Sequence, residues 1–260
     1  MSVPLSVYDG GAIVVAVTIG GEGPFRFLLD TGSTRSAMTA RLARQLRSPV
    51  VAQTSMVTPA GRGARNVAFV RDLRVGRALQ VSVAALVVPD DALPHAGGLD
   101  GLLGQDVLAN RSYTIDYPRH ELVWHVGGTA HVPGHRLPLT VTNGLFFVSL
   151  PTMDRAAEPV RLLADSGADT LVLFGGADWL TMTATSMGTG VLRTSAGLQL
   201  GHHLRFDQLD LGGVVLRNPS ALLLTEREPT GLLGDGLLPL HLFARVTFDA
   251  AGPALIVAAR

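Results

Sequence analysis

Short apolar runs rich in valine, isoleucine and leucine alternate along the chain with clusters of glycine, proline and polar residues. Runs of this kind are typical of β-strands, and the clusters between them are typical of turns. In the first half, the pattern predicts strands at residues 12–19, 25–30, 50–57, 67–75, 79–88, 113–116 and 121–126. Helical spacing is limited to residues 39–46, with Thr39 as the N-cap, and to residues 105–109. The pattern therefore predicts an all-β fold with short helices.

The second half of the chain repeats this order of elements. It begins after residues 127–134, a glycine-containing stretch that we interpret as a linker. The pattern then predicts strands and short helices at residues 145–150, 160–164, 177–180 (helix), 235–243 (helix), 245–249 and 254–257. A repeat of about 135 residues is too long for a solenoid unit, so it indicates two similar lobes. We expect an N-terminal lobe of residues 1–126 that carries Asp30, and a C-terminal lobe of residues 135–260 that carries Asp165.

The clearest part of the repeat is a short stretch at positions 25–33 and again at positions 160–168. In each copy an apolar, strand-like run ends in an aspartate, followed by a hydroxyl residue and a glycine. Glycine permits a tight turn at this point. Each copy therefore predicts a carboxylate presented by a turn at the end of a buried strand.

Two later features recur at similar distances along the chain. Gly61 follows Asp30 at nearly the same separation as Gly197 follows Asp165, so both glycines are expected at hairpin tips. A Leu-Leu-Gly element then follows each aspartate at a comparable separation, at Leu102-Leu103-Gly104 and Leu232-Leu233-Gly234. On sequence alone, these elements can also be core strands that end at turns, and the tips can be plain hairpin turns.

The paired aspartates predict acid/base chemistry. Two carboxylates forced together share a proton and titrate as a pair. The charged one can take a proton from a water while the protonated one donates to a carbonyl oxygen, so an amide is hydrolysed without a cofactor. Thr31 and Ser166 can each donate and accept, so we expect them to hold the two turns in register. The alternative is that Asp30 and Asp165 are surface turn residues.

These motifs resemble those of aspartic proteases of the pepsin/retropepsin clan, in a single-chain, two-lobed, bacterial-type retropepsin-like form. Asp30-Thr31-Gly32-Ser33 is similar to the pepsin-type active-site motif, and Asp165-Ser166-Gly167-Ala168 is similar to the retroviral form. The Leu-Leu-Gly elements resemble the hydrophobic element that passes behind the active-site loop in each lobe of these enzymes. The resemblance covers roughly residues 12–126 and 135–258.

The resemblance implies a bilobal, pepsin-like fold with pseudo-twofold-related lobes and an active site in the cleft between them. It implies an endopeptidase with Asp30 and Asp165 as the catalytic pair. It also implies active-site loops supported by Thr31, Gly32, Ser33, Ser166, Gly167 and Ala168. Its flap hairpins would bind an extended peptide or protein substrate through Pro59, Ala60, Gly61, Arg62, Ala196 and Gly197. Because one chain holds both aspartates, we expect a monomer to be complete.

The sequence departs from the family pattern in two places. No aromatic residue lies between Gln53 and Val67, where pepsins carry a flap tyrosine. Ala168 lacks the hydroxyl group that Ser33 offers in the first copy. The resemblance then implies a poorer hydrogen-bond network around the second aspartate, and we expect a pH optimum above the acidic range of pepsin.

Composition argues against several other functions. Hydrophobic residues make up 47% and charged residues 16%, which suits an ordered globular protein. There is no cysteine, so disulfides and thiolate chemistry are excluded. The formal net charge is zero without a basic block, so we expect no nucleic-acid partner. No apolar run reaches the roughly 18 residues of a membrane span, and the histidines, including His202-His203, lack the spacing of a metal site.

Localisation and activity each leave alternatives. The N-terminus lacks the pattern of a signal peptide, and a trimmed secreted or periplasmic protein remains an open alternative. The same architecture could serve as a non-catalytic peptide-binding module, or as a selective processing enzyme that ignores generic substrates. Asp100 and Asp235, beside the Leu-Leu-Gly elements, are interpreted as turn or helix-cap residues.

Overall fold

The computed structural model describes residues 1–58, 61–93, 98–109, 111–126, 128–129, 131–150, 159–175, 184–194, 197–224 and 231–260. Within these ranges the side chains of residues 9, 57, 58, 61, 62, 193, 194 and 197 are not described. The chain forms an all-β, bilobal fold with two repeated halves and two short α-helices in the described residues. The expected fold class is therefore confirmed.

The N-terminal half contains ten strands and two helices in the described residues. In chain order they are β1 (Ser2–Val7), β2 (Ile13–Ile19), β3 (Glu22–Leu29), β4 (Ala37–Thr39), α1 (Ala40–Gln45), β5 (Val50–Thr58), β6 (Gly61–Val75), β7 (Leu79–Val88), β8 (Gly101–Leu103), α2 (Gln105–Leu108), β9 (Tyr113–Asp116) and β10 (Glu121–Trp124). A 3₁₀ turn at Asp9–Gly11 joins β1 to β2. Thr39 caps α1 as expected, because its hydroxyl accepts from the N–H of Leu42 at 3.2 Å.

The C-terminal half repeats this order, with the described strands β11 (His135–Thr142), β12 (Leu145–Leu150), β13 (Val160–Asp165), β14 (Leu171–Leu173), β15 (Ala184–Thr194), β16 (Gly197–Phe206), β17 (Gln208–Asp210), β18 (Val215–Arg217), β19 (Ser220–Leu224), β20 (Gly236–Pro239), β21 (Arg245–Asp249) and β22 (Ala254–Ala258). The helix predicted at 177–180 lies outside the described residues. The helix predicted at 235–243 is wrong: its first part forms β20, and only Leu240–Leu242 form a 3₁₀ turn.

One antiparallel sheet joins the two halves, in the order β1-β10-β9-β21-β22-β11. At its centre Thr114 pairs with Thr247, and their hydroxyl oxygens lie 2.6 Å apart. Beside this pair, Tyr113 stacks on Phe248 with ring centroids 4.9 Å apart. The largest buried apolar cluster includes residues from both halves and from this sheet, so burial of apolar surface holds the lobes together.

In each lobe the strand that leads to the aspartate pairs with a short parallel strand. Strand β3 pairs with β8, with Leu29 opposite Leu103. Strand β13 pairs with β20, with Ala164 opposite Leu238. The equivalent elements are therefore Gly101-Leu102-Leu103-Gly104 and Gly236-Leu237-Leu238-Pro239, which end at the same separation along the chain from their respective aspartates.

Alignment of the two halves by their Leu-Leu-Gly residues therefore misplaced the second element. Residues 232–234 form a turn, and the strand behind the second active-site loop begins at Gly236. The register is decided by the aspartate before each strand. Asp100 accepts from the backbone N–H of Arg26 at 2.9 Å, and Asp235 accepts from that of Arg161 at 2.8 Å. The repeated unit is thus Asp-Gly-Leu-Leu, and its aspartates bind the neighbouring strand rather than cap a helix.

Close packing explains the glycine in this unit. A Cβ atom on Gly101 would lie 2.5 Å from the carbonyl oxygen of Ala37, and one on Gly236 would overlap the carbonyl of Val172. Both neighbours are backbone atoms of the adjacent strand, which cannot move aside as a side chain can. Glycine is therefore required at both positions for β8 and β20 to reach their partners.

We expect Gly101→Ala and Gly236→Ala each to lower the free energy of unfolding by about 1–3 kcal/mol, because the added methyl group forces two strands apart. Gly252→Ala is the matched control, since its nearest neighbour would be Nη2 of Arg136 at 3.7 Å. Urea unfolding followed by circular dichroism measures all three variants. Equal stability of Gly252→Ala and either strand variant would contradict the packing argument.

Candidate active site

The two aspartates of the repeat come together between the lobes. Asp30 directly follows β3, and its N–H donates to the carbonyl of Leu103 at 3.0 Å. Asp165 is the last residue of β13. The two carboxyl groups share a side-chain hydrogen bond. The duplicated pattern predicted this meeting, and the structure places the carboxyl groups accordingly.

Each carboxyl group lies against the glycine of the opposite loop. A Cβ atom on Gly32 would lie 2.5 Å from Oδ2 of Asp165, and one on Gly167 would lie 3.0 Å from Cγ of Asp30. Each carboxylate also accepts a hydrogen bond within its own loop, from Gly32 N–H to Asp30 at 3.0 Å and from Gly167 N–H to Asp165 at 2.7 Å. Glycine therefore serves both to form the turn and to leave room for the opposite carboxyl group.

The hydroxyl groups of Thr31 and Ser166 cross between the lobes. Thr31 Oγ1 donates to the carbonyl of Ala164 at 2.7 Å and accepts from the N–H of Ser166 at 2.9 Å. Ser166 Oγ donates to the carbonyl of Leu29 at 2.7 Å and accepts from the N–H of Thr31 at 3.0 Å. Both side chains are buried. Four reciprocal hydrogen bonds thus hold the two aspartate turns at a set distance from each other.

Burial raises the pKa of both carboxyl groups. The pKa of Asp30 is raised well above its ordinary value, first because of desolvation and second because of the nearby charge of Asp165. Desolvation also raises the pKa of Asp165, to about 6, although the backbone N–H groups of Gly167 and Ala168 and the hydrogen bond from Asp30 oppose the rise. The pair therefore holds one proton near neutral pH, and the hydrogen bonds from Gly167, Ala168 and Asp30 favour the charged form of Asp165.

Ser33 forms hydrogen bonds within the first aspartate loop. Its hydroxyl donates to the carbonyl of Arg35 at 2.8 Å, and its backbone N–H donates to the carboxylate of Asp30. Ala168 donates its backbone N–H to Asp165 in the same way, so the two positions are equivalent in this contact.

Residues that the sequence analysis did not identify form a hydrogen-bond network behind the first aspartate loop. Gln105 Nε2 donates to the carbonyl of Thr31 at 2.8 Å. The carboxylate of Asp106 accepts from the N–H of Ser36 at 2.9 Å and from its hydroxyl at 2.7 Å. Ser36 Oγ in turn accepts from Gly104 N–H at 3.1 Å, which closes a network behind the first aspartate loop.

The second lobe supports its loop differently, because the side chain of His241 forms a hydrogen bond with the backbone of Ala168. Counting from each aspartate, Leu240 and His241 occupy the positions of Gln105 and Asp106. His241 is half-buried against Gly11 of the opposite lobe, and burial followed by the charge of Arg260 lowers its pKa. The sequence signal for these residues was available: they directly follow the correctly aligned Asp-Gly-Leu-Leu units.

A cleft of about 470 Å³ surrounds the two carboxyl groups. Both hairpins contribute to its walls, with Met56 of β5 from the first and Leu192 of β15 from the second. Leu232 and Leu233, from the misplaced Leu-Leu-Gly element, also line it. Most of the remaining lining is aliphatic, so the cleft suits apolar side chains.

The expected flap residues lie at the tips of these hairpins. Pro59, Ala60 and Ala196 lie outside the described residues. Gly61 and Gly197 begin β6 and β16, as expected for positions next to a hairpin tip. Arg62 belongs to β6, and its side chain is outside the description. A role of these residues in substrate binding stays a prediction.

Two searches of the described ranges gave negative results. No group of three or more histidine, aspartate or glutamate side chains is arranged to hold a metal ion among them. None of the helices found there is long and apolar enough to cross a bilayer.

Comparison with known proteins gives one match. A family model described as aspartyl protease matches residues 15–107 and 152–236, which together exceed half of the chain. The matched segments contain Asp30 and Asp165, respectively. A search of curated proteins finds no match.

We expect Thr31→Val to lower the free energy of unfolding by about 2–4 kcal/mol, because it leaves the buried Ala164 carbonyl and Ser166 N–H without partners. Thr140→Val is the control. Thr140 is exposed on a strand, and its hydroxyl lies 3.4 Å from that of Ser149, so we expect a change within about 0.5 kcal/mol. Urea unfolding measures both variants. A small decrease in the free energy of unfolding for Thr31→Val would show that the hydrogen bonds between Thr31 and Ser166 do not hold the lobes together.

The raised pKa of Asp165 also makes stability depend on pH. The folded state binds this proton more tightly than the unfolded state, so its stabilising effect is complete below the unfolded pKa of about 3.9 and is lost as pH rises to about 6. Asp165→Asn removes this loss. We expect the variant to gain about 1–3 kcal/mol over the unmodified protein between pH 4 and pH 7, measured by unfolding at each pH.

Asp249→Asn provides a control of opposite sign. Burial would raise the pKa of Asp249, but hydrogen bonds from Arg136 and Thr129 outweigh burial and lower it. We therefore expect Asp249→Asn to lose stability relative to the unmodified protein as pH rises past about 4. The same pH trend in both variants would contradict the assignment for Asp165.

Proposed function

The chain belongs to the aspartyl protease family, and from that premise we propose that it is an aspartic-type endopeptidase of the pepsin/retropepsin clan. It hydrolyses peptide bonds with a water held between Asp30 and Asp165, one from each lobe. The observation that carries this proposal is the buried pair of carboxyl groups that meet across the lobes with both pKa values raised. We also propose lobes of residues 1–126 and 135–260, joined by residues 127–134.

The hydrogen bonds that favour the charged form of Asp165 give each aspartate a role. As a carboxylate, Asp165 takes a proton from the water, whose oxygen attacks the carbonyl carbon of the substrate. Asp30 holds the shared proton and donates it to the carbonyl oxygen, which forms a neutral gem-diol. Asp165 then returns its proton to the leaving nitrogen while Asp30 recovers one from a hydroxyl of the gem-diol. The C–N bond breaks, and the dyad regains its starting state.

The cleft supports a peptide substrate in extended conformation. Its volume of about 470 Å³ and its aliphatic walls accommodate the side chains on both sides of the scissile bond. Strands β5 and β15 each place one apolar side chain in the wall, so we propose that both hairpins act as flaps and pair with the substrate backbone. One chain supplies both aspartates, which makes a monomer sufficient for activity.

A non-catalytic peptide-binding module is the alternative on the same fold. Burial of two carboxyl groups against each other lowers stability, as their raised pKa values show, and a module that only binds gains nothing from this cost. The buried pair therefore favours the enzyme.

The proposal is tested with a peptide library digested across pH, with Asp30→Asn and Asp165→Asn as variants. We expect each variant to fold and to lose at least about 10³-fold in kcat/KM, because neither can complete the proton transfers. For the unmodified protein, activity should fall as pH drops below about 6, where a second proton neutralises Asp165. Asp207→Asn, on the exposed surface and outside the cleft lining, is the control and should retain full activity.

Two results would refute the proposal. Turnover by Asp165→Asn at the unmodified rate would exclude a two-lobe site, and a rate maximum below about pH 3 would exclude the assigned proton positions. A hydroxyl-containing transition-state mimic distinguishes the enzyme from the non-catalytic peptide-binding module. It binds the enzyme in proportion to protonation of the dyad.

A further inference from the structure

The pseudo-twofold repeat is broken beside the dyad by residues of opposite charge. Thr34 and Asp169 occupy equivalent positions after the aspartate of their lobe, and so do Arg35 and Thr170. All four line the cleft. The N-terminal loop thus offers a threonine and an arginine where the C-terminal loop offers an aspartate and a threonine.

These two charges are the ones available to a ligand among the described lining residues. Among the residues that the structure describes, the only charged side chains that line the cleft apart from the dyad are Arg35 and Asp169. Both are exposed, and neither forms an ion pair with another described residue. The charge of Arg35 acts on Asp106, and that of Asp169 acts on His241, without direct pairing. Both charges therefore remain available to a bound molecule, whereas the rest of the described lining is apolar or neutral.

The backbone of both residues is held from behind. The carbonyl of Arg35 accepts the hydroxyl of Ser33, and the adjacent Ser36 is bound by Asp106. Behind Asp169, the turn that contains Gly10 packs so closely that a Cβ atom there would lie 2.9 Å from Asp169 Cβ. The backbone positions from which the two charged side chains extend are therefore restrained beside the dyad.

Symmetry places these charges on opposite sides of the scissile bond. A peptide that extends across the pseudo-twofold axis at the dyad has one half beside each aspartate loop. The positions of the two carboxyl groups are related by the pseudo-twofold axis, so their placement alone does not distinguish the two directions of such a peptide. A positive group beside one half and a negative group beside the other can distinguish them.

We propose that Arg35 and Asp169 set the direction of the bound substrate and select peptides with an acidic side chain on one side of the scissile bond and a basic side chain on the other. This inference rests on the proposed function, because it concerns the same cleft. Arg35 and Asp169 are specificity residues and take no part in the proton transfers. The acidic side chain lies beside Arg35, and the basic side chain lies beside Asp169.

The ordinary interpretation of two exposed charges is that water solvates them and they affect no ligand. This interpretation predicts equal kcat/KM for peptides that differ only in the order of their charges. Exposed pairs act weakly and are screened by salt, so the proposed selectivity is about 3- to 10-fold at low ionic strength and decreases near 1 M salt. That range is large enough to measure with paired substrates.

The experiment uses pairs of octapeptides of identical composition with the same apolar residues at the scissile bond. One member has glutamate before the bond and lysine after it, and the other has the two exchanged; separate pairs place the charges two and three residues from the bond. Mass spectrometry verifies the cleaved bond, and kcat/KM is measured for each peptide. In parallel, fluorescence anisotropy measures binding of the same labelled peptides to the inactive Asp165→Asn protein.

We expect one charge order to be preferred about 3- to 10-fold, with the ratio near 1 in the double variant Arg35→Gln, Asp169→Asn. The exchanged variant Arg35→Asp, Asp169→Arg should reverse the preference. The matched control is Asp207→Asn, Arg217→Gln, which removes the same charges from exposed positions outside the described cleft lining and should keep the original ratio.

The outcomes separate this inference from the proposed function. Cleavage without a charge-order preference, or a preference that survives neutralisation of both residues, overturns the inference and leaves the protease intact. Binding with the expected preference but no cleavage by the unmodified protein supports the inference and overturns the proposed function. Reversal of the ratio in the exchanged variant supports the inference directly, since a structural disturbance would weaken the preference but not invert it.

Discussion

The exchange of hydrogen bonds between Thr31 and Ser166 is the interaction on which the site depends. Burying two carboxyl groups next to each other is unfavourable in free energy, and this is why their pKa values are raised. Each hydroxyl donates to a backbone carbonyl of the opposite lobe and accepts a backbone N–H from it. Separation of the lobes would leave four backbone groups and two hydroxyl groups without partners, which costs more than the bonds themselves contribute.

The interlobe sheet and the core supply the rest of the restraint. The sheet runs from β1 to β11 through the Thr114–Thr247 pair, so both lobes share one set of backbone hydrogen bonds. Within each lobe, Asp100 or Asp235 holds the strand that passes behind the aspartate loop. The scaffold is therefore symmetric down to individual hydrogen bonds, while the supports behind the loops are not. Gln105 and Asp106 brace one loop, and Leu240 and His241 occupy the same positions in the other. Unequal surroundings for two equal carboxyl groups are what acid/base chemistry requires.

The sequence predicted the strands of the first half better than those of the second half. Strands β2, β3 and β7 were recognisable because each carries its own apolar pattern. Strands β11, β15 and β16 were not predicted, and β8 was anticipated only by the core-strand interpretation of Leu102-Leu103-Gly104. The very short strands β4 and β14 were missed, since so few residues have no detectable period. The same weakness misplaced the second Leu-Leu-Gly element. The two halves were aligned by their identical Leu-Leu-Gly residues. The true register depends on the hydrogen bond between Asp235 and Arg161 in β13, which lies far away along the chain.

The amino-acid sequence alone determined that the chain is a duplicated β protein with one aspartate turn in each half, because those turns are encoded by neighbouring residues. Only the tertiary structure decided that the two carboxyl groups share a hydrogen bond and that Ser36 and Asp106 support one loop. These contacts join residues distant in the chain, so their geometry depends on the packing of both lobes. The charges of Arg35 and Asp169 were visible from the start, but their placement in one cleft was a result of folding.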